Sequence, residues 1–235
     1  EWGDHDALKE AAARPTAAAV LVEPVQGEGG VRAMPDQCLI GLRKLCDEHG
    51  LVLIFDEVQC GMGRTGKLFA HDWVEGAEPD ILCAAKGIGG GFPFGACLTT
   101  EACAEHMQPG SHGSTYGGNP LAMAVGNAVW DIIVNEDFLA EVRRVSGTLA
   151  QGLKSLADSH PDKVEGVTGK GLLTGLKMKA DPKSLQGLCR ENNLLVGVAG
   201  ANVLRLAPPL IITDEHVREA TGIIDAALTE WALPA

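Results

Sequence analysis

"LVLIFDE", residues 51–57, carries the clearest indication of the fold class in this sequence. It is continuously apolar as far as Phe55 and then ends in Asp56 and Glu57. A short, continuous apolar run is typical of a strand buried in a parallel sheet. In open α/β sheets, ligands bind at the carboxyl ends of such strands. The stretch therefore predicts an α/β fold with a functional site beside Asp56.

The segments around this strand alternate between strand and helix patterns. Upstream, "AAAVLVEP" (17–24) predicts a strand, and residues 36–49, closed by Gly50, predict an amphipathic helix. Downstream, further strands are predicted over "DILCAA" (80–85) and "GACLTT" (95–100). Two helices then follow, over about 119–135 and 137–157. This order predicts a mostly parallel sheet with helices packed on it.

The character of the chain changes beyond about residue 143. After "VEGVTGKGLLTGLKM" (164–178), a helix is predicted over "SLQGLCRENN" (184–193) and strands over "LLVGVA" (194–199) and "NVLRLAP" (202–208). A final helix is predicted from Asp214 to Trp231. We expect two domains: a larger α/β domain over residues 1–142 and a smaller α+β domain over residues 143–235.

Composition and charge restrict the class of function. The chain has 235 residues and a net charge of −12, from 19 basic and 31 acidic side chains, and it has no basic tract. This balance disfavours a nucleic-acid surface or a polybasic membrane contact. No apolar run approaches the roughly 20 residues that cross a bilayer, and no signal-peptide pattern opens the chain. We expect a cytoplasmic protein with a small-molecule substrate.

The cysteines and histidines do not predict a metal site. The seven cysteines are scattered and contain no C-x-x-C pair, and the seven histidines show no H-x-x-x-H spacing. Several cysteines lie in apolar stretches, where a free thiol behaves as a small hydrophobic group. We expect reduced, structural thiols and no bound metal.

One stretch has the frame of a nucleotide-binding loop. "GMGRTGKL" (61–68) matches G-x-x-x-x-G-K, and it follows an acidic strand. However, Leu68 stands where a Ser or Thr ligand to magnesium belongs, and the loop follows the acidic strand instead of preceding it. An NTPase is therefore disfavoured.

"DILCAAKGIGGGFPFG" (80–95) places a lysine, Lys86, between an apolar run and a glycine loop. A lone lysine in this position is usually structural, with its ammonium group reaching water. A buried lysine beside an aspartate suggests more. Its amine can form a Schiff base, and the carboxylate of Asp56 can balance the charge of a pyridinium nitrogen. Together they describe a pyridoxal phosphate site.

Five motifs give the chain a resemblance to a known family. They are "VEPVQGEGGV", "LIFDEVQCGMGRTGKLFA", "AAKGIGGGFPFGA", "HGSTYGGNPLA" and "VLRLAPPLIIT", in this order. The sequence resembles the class III, fold-type I aminotransferases, and among them the acetylornithine aminotransferases. The resemblance implies the fold-type I architecture of pyridoxal-phosphate transferases, with the N-terminal part of the large domain missing.

The resemblance implies the cofactor, pyridoxal 5′-phosphate, and the residues around it. Lys86 corresponds to the Schiff-base lysine, and Asp56 to the partner of the pyridine nitrogen. Val58 would pack on the ring, and Gln59 would reach its phenolic oxygen. Thr115, with Ser114 beside it, corresponds to a phosphate contact supplied across the interface of a homodimer.

The resemblance also implies substrate-binding residues. Arg205 corresponds to the residue that binds the substrate α-carboxylate, and Glu28 to its gate. The role of Glu23, at a strand end before a proline, stays open between orienting its neighbours and ending the strand.

The implied reaction moves the terminal amino group of N-acetylornithine to 2-oxoglutarate in arginine biosynthesis. Ornithine, succinylornithine and 4-aminobutyrate aminotransferases are rival assignments within the family. Members also carry a glycine-threonine turn and a ring-stacking aromatic residue upstream of the part present here. A catalytically incomplete piece of an aminotransferase is therefore the alternative from another functional class.

Overall fold

The computed structural model describes residues 3–233, which form two compact units. Unit 1 comprises the residues up to Pro24 together with Met34–Met62 and Phe69–Ile132. Unit 2 comprises Val25–Ala33, Gly63–Leu68 and the residues from Ile133 onward. The domain division expected from the sequence, between residues 142 and 143, stays a prediction.

The strands are short and lie in both units. In chain order they are β1 (Ala19–Val22), β2 (Val25–Gln26), β3 (Arg32–Ala33), β4 (Val52–Asp56), β5 (Ile81–Ala84), β6 (Ala96–Thr99), β7 (Val164–Lys170), β8 (Leu173–Met178), β9 (Gly197–Ala199) and β10 (Val203–Leu206).

The α-helices vary more in length than the strands. In chain order they are α1 (His5–Ala12), α2 (Asp36–His49), α3 (Glu101–Ala104), α4 (Pro120–Ile133), α5 (Glu136–Ser159), α6 (Lys183–Glu191) and α7 (Asp214–Glu230). Two 3₁₀ helices, Ala70–Trp73 and Lys86–Gly89, follow β4 and β5 along the chain. Within residues 3–233, no helix has both the length and the apolar character needed to cross a membrane.

Unit 1 is built on a four-stranded sheet in the order β1-β4-β5-β6. The pairs β1/β4 and β4/β5 are parallel, whereas β5/β6 is antiparallel. The mostly parallel sheet predicted from the apolar runs is therefore present. Its parallel pairs place the carboxyl ends of β4 and β5 at the same edge.

Helix α2 covers one face of this sheet. Its buried side chains recur at helical spacing, as the amphipathic pattern predicted, and they are Leu39, Leu42, Leu45 and Cys46. They share one core cluster with the fully buried Leu53 and Phe55 of β4. Gly50 ends the helix in the left-handed conformation (φ +65°), and its N–H donates to the Cys46 carbonyl.

The opposite face of β4 is less buried than its apolar sequence predicts. Val52, Ile54 and Asp56 are half-buried, whereas the alternate residues Leu53 and Phe55 are fully buried. Side chains alternate between the faces of a strand, and among the described residues α2 packs on only one of those faces.

Unit 2 contains an antiparallel sheet in the order β7-β8-β10-β9. Its core is one cluster of buried residues from α5, α6, α7 and this sheet. Gly171, in the β7–β8 turn, has φ +64°, and a Cβ there would lie 2.6 Å from Thr65 Cα. Only glycine fits this close approach. The small β2/β3 ladder around "QGEGG" and the short helix α3 were not predicted from the sequence.

Candidate functional site

Asp56 and Lys86 follow adjacent parallel strands at the same edge of the unit 1 sheet. Asp56 is the last residue of β4 and is paired in register with Cys83 of β5. The Glu57 N–H continues the ladder by donating to the Cys83 carbonyl at 2.9 Å. Lys86 comes two residues after the end of β5. The fold thus brings a carboxylate and an amine to the carboxyl ends of neighbouring strands.

Lys86 has an unusual backbone conformation. It begins the 3₁₀ helix Lys86–Gly89 with φ +48°, in the left-handed region that residues other than glycine seldom adopt. Backbone strain of this kind clusters at active sites and ligand clamps. Gly90 ends the helix with φ +54°, so a tight turn follows the lysine directly.

The expected burial of Lys86 is wrong for the chain described here, because its side chain is exposed. The reason is its position: it begins a 3₁₀ helix beyond the last strand residue, outside the packed core. Among residues 3–233 it forms no ion pair. Its amine is therefore accessible from solvent.

The Asp56 carboxylate is fixed by the turn that follows it. It is half-buried, and its Oδ1 accepts a hydrogen bond from the Val58 N–H at 3.0 Å. Val58 and Gln59 are also half-buried and lie in this same turn. The structure thus brings three of the expected cofactor residues together, directly after β4.

Glu57 holds the other side of this strand end, a role that the sequence reasoning missed. The residue is fully buried (0% exposed). Its Oε2 accepts from the Ala70 N–H at 2.5 Å, and its Oε1 accepts from the His71 N–H at 3.0 Å and lies 2.7 Å from His71 Nδ1. The only signal in the sequence was that Glu57 directly follows Asp56. Side chains of adjacent strand residues point to opposite faces of the sheet, so the two acids would be expected in different environments.

His71 is an ionisable partner for this buried carboxylate. Burial, the largest single influence, lowers the pKa of His71, but the hydrogen bond and charge of Glu57, with smaller contributions from Asp72 and Glu78, raise it overall above its usual value. The ring also stacks on Phe69, with 5.9 Å between the ring centroids. A charged histidine beside Glu57 therefore stabilises the segment that ends β4.

Ser114 and Thr115 also belong to unit 1. Both are exposed, in the turn that precedes α4, where the Gly117 N–H donates to the Ser114 carbonyl at 3.3 Å. Within residues 3–233, no hydrogen bond joins either hydroxyl to Asp56 or Lys86. Their role in phosphate binding stays a prediction.

In unit 2, Arg205 and Glu28 form an ion pair. Arg205 Nη1 lies 2.5 Å from Glu28 Oε1, across 177 positions of sequence. Arg205 stands in β10 opposite Gly197 of β9, and a Cβ at Gly197 would lie 3.2 Å from Arg205 Nε. The glycine thus leaves room for the guanidinium. The Gly200 N–H also donates to the Glu28 carbonyl at 2.7 Å, which anchors the loop that carries Glu28.

A cavity of about 620 Å³ borders Arg205 in unit 2. Much of its wall is apolar, including Leu195, Val196, Leu206 and Ile212. Small-molecule sites commonly join apolar walls with a few placed polar groups. The cavity combines the Arg205 guanidinium with such walls.

The glycine loop over residues 61–68 has a structural role in this fold. The Arg64 carbonyl accepts from the Leu172 N–H at 2.9 Å, and Arg143 Nη1 donates to the Gly66 carbonyl at 2.8 Å. Arg64 Nη1 donates to the Pro208 carbonyl, and burial lowers the pKa of Arg64. The 3₁₀ helix Ala70–Trp73 follows where a phosphate loop would open an α-helix. The structure offers the NTPase interpretation no support.

The comparison with protein families is decisive. A model described as "Aminotransferase class-III" matches residues 4–228. The chain belongs to this family. The family expected from the motifs is therefore confirmed.

The names of similar proteins agree with this family assignment. The chain is 54% identical over 226 residues to "Acetylornithine aminotransferase 2" of Caulobacter vibrioides, a match that covers 96% of this chain and 56% of the relative. It is 55% identical over 225 residues to "Acetylornithine aminotransferase" of Mesorhizobium japonicum, with the same coverage. The chain thus spans little more than half the length of these relatives.

Solved structures confirm the fold class. The N-acetylornithine aminotransferase from Stenotrophomonas maltophilia superimposes with a TM-score of 0.87 at 38% identity, covering 96% of this chain and 60% of that one. The acetylornithine aminotransferase from Elizabethkingia anophelis gives a TM-score of 0.88 at 36% identity, covering 97% and 58%. The α/β fold that the resemblance implied is therefore present in the part of the protein described.

The residues at the unit 1 sheet edge fit pyridoxal 5′-phosphate by their chemistry. The group needs an amine for its aldehyde and a carboxylate for its protonated ring nitrogen. Lys86 offers an accessible amine, and Asp56 offers a carboxylate that the Val58 N–H holds in place. In contrast, residues 3–233 contain no cluster of three or more His, Cys, Asp or Glu side chains that would hold a metal ion.

Proposed function

We propose that this chain is part of a pyridoxal-phosphate-dependent acetylornithine aminotransferase. The observation that carries the proposal is the placement of Asp56 and Lys86 at the ends of two adjacent parallel strands. The names of relatives at 54–55% identity support N-acetylornithine as the amino donor. The proposed reaction transfers its terminal amino group to 2-oxoglutarate, as a step of arginine biosynthesis.

Each residue at the sheet edge has a separate proposed task. When bound, the cofactor supplies an electron sink. The Asp56 carboxylate holds a proton at the ring nitrogen, because a fixed negative charge favours the protonated ring. Lys86 would bind the cofactor's aldehyde and would move a proton at the substrate carbon, tasks that suit an amine. Val58 and Gln59, in the turn after Asp56, would hold the ring face and the phenolic oxygen.

Arg205 and Glu28 have the proposed task of handling two unlike amino donors. A guanidinium binds a carboxylate through two parallel hydrogen bonds, which suits the α-carboxylate of glutamate. N-acetylornithine reacts through a terminal amine that has only methylene groups beside it. Without the Glu28 carboxylate, less of the Arg205 charge would then be balanced, which a partly buried site tolerates poorly. Glu28 pairs with Arg205 and is 72% exposed, so it has room to move aside.

Glu28→Ala in the complete enzyme is expected to slow the N-acetylornithine half-reaction and to spare or accelerate the glutamate half-reaction. The reason is that the Arg205 guanidinium then stays accessible to a substrate carboxylate and lacks the balancing charge of Glu28 beside an aliphatic chain. Single-turnover spectra of each half-reaction measure the two effects separately. Glu28→Gln, which keeps the shape and loses the charge, is the matched variant. Equal losses in both half-reactions would mean that Glu28 is only structural.

The substrate assignment can be tested with a panel of amino donors. The complete enzyme, loaded with pyridoxal phosphate, is assayed with N-acetylornithine, ornithine, succinylornithine and 4-aminobutyrate against 2-oxoglutarate. We expect the highest kcat/KM for N-acetylornithine, because the relatives of this chain are named acetylornithine aminotransferases. Preference for another donor would reassign the substrate within the family, and turnover by the complete enzyme but not by this chain alone would favour the catalytically incomplete alternative.

A homodimer with sites shared across its interface is also proposed. Large apolar side chains are exposed in unit 1 on β6, in the turn before α4 and on α4: Leu98, Tyr116, Leu121, Met123, Trp130 and Ile132. Exposed apolar surface of this kind marks interaction sites. A symmetric dimer would cover it and would let Thr115 reach the phosphate in the other subunit's site.

Mixing two variants, each impaired at a different residue, tests the shared site. Thr115→Val is expected to weaken cofactor retention, since a lost hydrogen bond to a charged group costs roughly 1.5–3 kcal/mol. Mixed dimers with Lys86→Ala would regain some sites that hold one intact lysine and one intact threonine. Verified mixed dimers without any recovered activity would place Thr115 outside the other subunit's site.

We also propose a cytoplasmic location for the protein. The pathway step proposed here uses small, diffusible substrates, and the composition shows no feature of a membrane surface. Cell fractionation with an antibody to the chain measures this directly, and recovery in the membrane pellet would contradict it.

A further inference from the structure

Two cysteines face each other across strands β5 and β6 of unit 1. Cys83 and Cys97 are paired in register in this antiparallel pair. Cys97 is exposed and Cys83 is half-buried. Cys83 is also the register partner of Asp56 in β4, so the three residues form a row across three strands.

Backbone hydrogen bonds show which kind of antiparallel pair this is. The Cys83 carbonyl accepts from the Glu57 N–H at 2.9 Å, so the backbone groups of Cys83 are directed to the β4 side. On the β6 side, the Asp80 carbonyl accepts from the Thr100 N–H at 2.9 Å. Because hydrogen-bonded and non-hydrogen-bonded pairs alternate along the ladder, Cys83 and Cys97 form a non-hydrogen-bonded pair.

That type of pair brings the two side chains closest together. Its Cα atoms lie about 4.5 Å apart, and disulfides span Cα separations of about 4.4–6.8 Å. A disulfide between Cys83 and Cys97 can therefore form without moving either strand. Cys103, the next cysteine along the chain, lies in α3 and has no partner in the β5/β6 register.

The two thiols also differ in reactivity. Burial raises the pKa of the Cys83 thiol, and the neighbouring Cys97 and Asp56 raise it further. The thiolate is the nucleophile in thiol–disulfide exchange, and accessibility controls its rate. In the part of the protein described, Cys97 is the more accessible of the two thiols, so it is the attacking residue and Cys83 is the resolving residue.

We propose that Cys83 and Cys97 are a redox-active pair that closes reversibly into a cross-strand disulfide beside the proposed cofactor site. The oxidant is a low-molecular-weight disulfide such as oxidised glutathione. The Cys97 sulfur attacks one glutathione sulfur and releases the first glutathione thiol. The Cys83 sulfur then attacks Cys97 Sγ and releases the second. The protein pair loses two electrons and two protons, and both are recovered in the two glutathione thiols.

The crosslink would fix the spacing of β5 and β6 immediately before Lys86. It lies in the same row as Asp56, so it joins the strand that carries the proposed lysine to its antiparallel neighbour. The proposal stands independently of the proposed reaction, since the thiol pair and its geometry are properties of the sheet. It also revises the expectation that all cysteines are only structural.

Peptide mapping tests the pair directly. The folded protein is treated with oxidised glutathione, alkylated and digested with trypsin without reduction. Cys83 then lies in peptide 68–86, and Cys97 lies with Cys103 in peptide 87–143. The expected product is a crosslink of these two peptides with a loss of two hydrogens, which dithiothreitol reverses.

Two serine variants test whether Cys97, and not the neighbouring Cys103, forms the crosslink. Cys97→Ser is expected to abolish the crosslink, whereas Cys103→Ser, the matched control, should leave it unchanged. Both variants should keep the circular dichroism of the parent, because a serine at an exposed or half-buried position removes no core side chain. Stable glutathione adducts without a crosslink, or a crosslink that persists in Cys97→Ser, would overturn the proposal.

Discussion

Replacing Lys86 by alanine is expected to abolish covalent capture of pyridoxal phosphate and all transamination by the complete enzyme. The amine is the group that holds the cofactor's aldehyde carbon and moves the proton, and alanine supplies neither function. The measurements are the visible absorbance with added pyridoxal phosphate and mass mapping after borohydride reduction, which should mark Lys86 in the parent. Lys44→Ala, on the exposed side of α2, is the matched control and should keep both signals.

The fold should survive this change. The Lys86 side chain is exposed and forms no ion pair within residues 3–233, so alanine removes no core contact. Lys86→Gly adds a separate test of the strained backbone. Since φ is +48°, glycine should be more stable there than alanine by about 1–2 kcal/mol. A borohydride-fixed label on another lysine in the Lys86→Ala protein would reject the assignment of the cofactor lysine.

The sheet edge could be predicted from the sequence because it depends on local patterns. An apolar run that ends in Asp56 and another that leads to Lys86 indicate two strands, and parallel strands place their carboxyl ends at one edge. The exposure of Lys86 could not be predicted. It depends on which helices cover the sheet, and the apolar run of β4 suggested burial on both faces.

Contacts between distant residues were beyond the reach of pattern reasoning. Arg205 and Glu28 are separated by 177 positions, and only the resemblance to a family suggested that they meet. The row from Asp56 through Cys83 to Cys97 depends on the register of three strands. A shift of one residue in either pairing would send the cysteines to opposite faces, and composition carries no information on register.

Glu57 illustrates the same limit, and it leads to the second large effect. The sequence shows two adjacent acids at a strand end, and only the structure shows that they do different work. Asp56 is held by the turn that follows it, whereas Glu57 is fully buried and accepts two backbone N–H groups and the His71 ring. Glu57 thereby fixes the strand end that presents Asp56.

Glu57→Ala is expected to lower the free energy of unfolding by about 3–5 kcal/mol, the usual cost of removing one partner from a buried charged pair. The loss arises because the Ala70 and His71 N–H groups and the His71 ring all lose their acceptor. Urea unfolding followed by circular dichroism gives the value. Glu75→Gln, at an exposed position, is the matched control and should change stability by less than about 0.5 kcal/mol. A loss of similar size in both variants would show that burial of Glu57 is not the cause.

The same pair should make stability depend on pH. Because Glu57 raises the folded-state pKa of His71, the stabilisation is fully present below the usual histidine pKa of about 6.5 and is lost as pH rises through the raised pKa. The unfolding free energy of the parent, compared with His71→Asn, should therefore fall across that window. In Glu57→Gln the charge that raises the pKa is gone, while the side chain keeps one oxygen as an acceptor for one of the two backbone donors. The difference in unfolding free energy between Glu57→Gln and the double variant Glu57→Gln/His71→Asn should then be nearly independent of pH. Two results would show that another group titrates: a parent whose stability rises through this window, or a Glu57→Gln protein that keeps the full pH dependence. The other charges near His71 are those of Asp72 and Glu78, and these carboxylates would be substituted next.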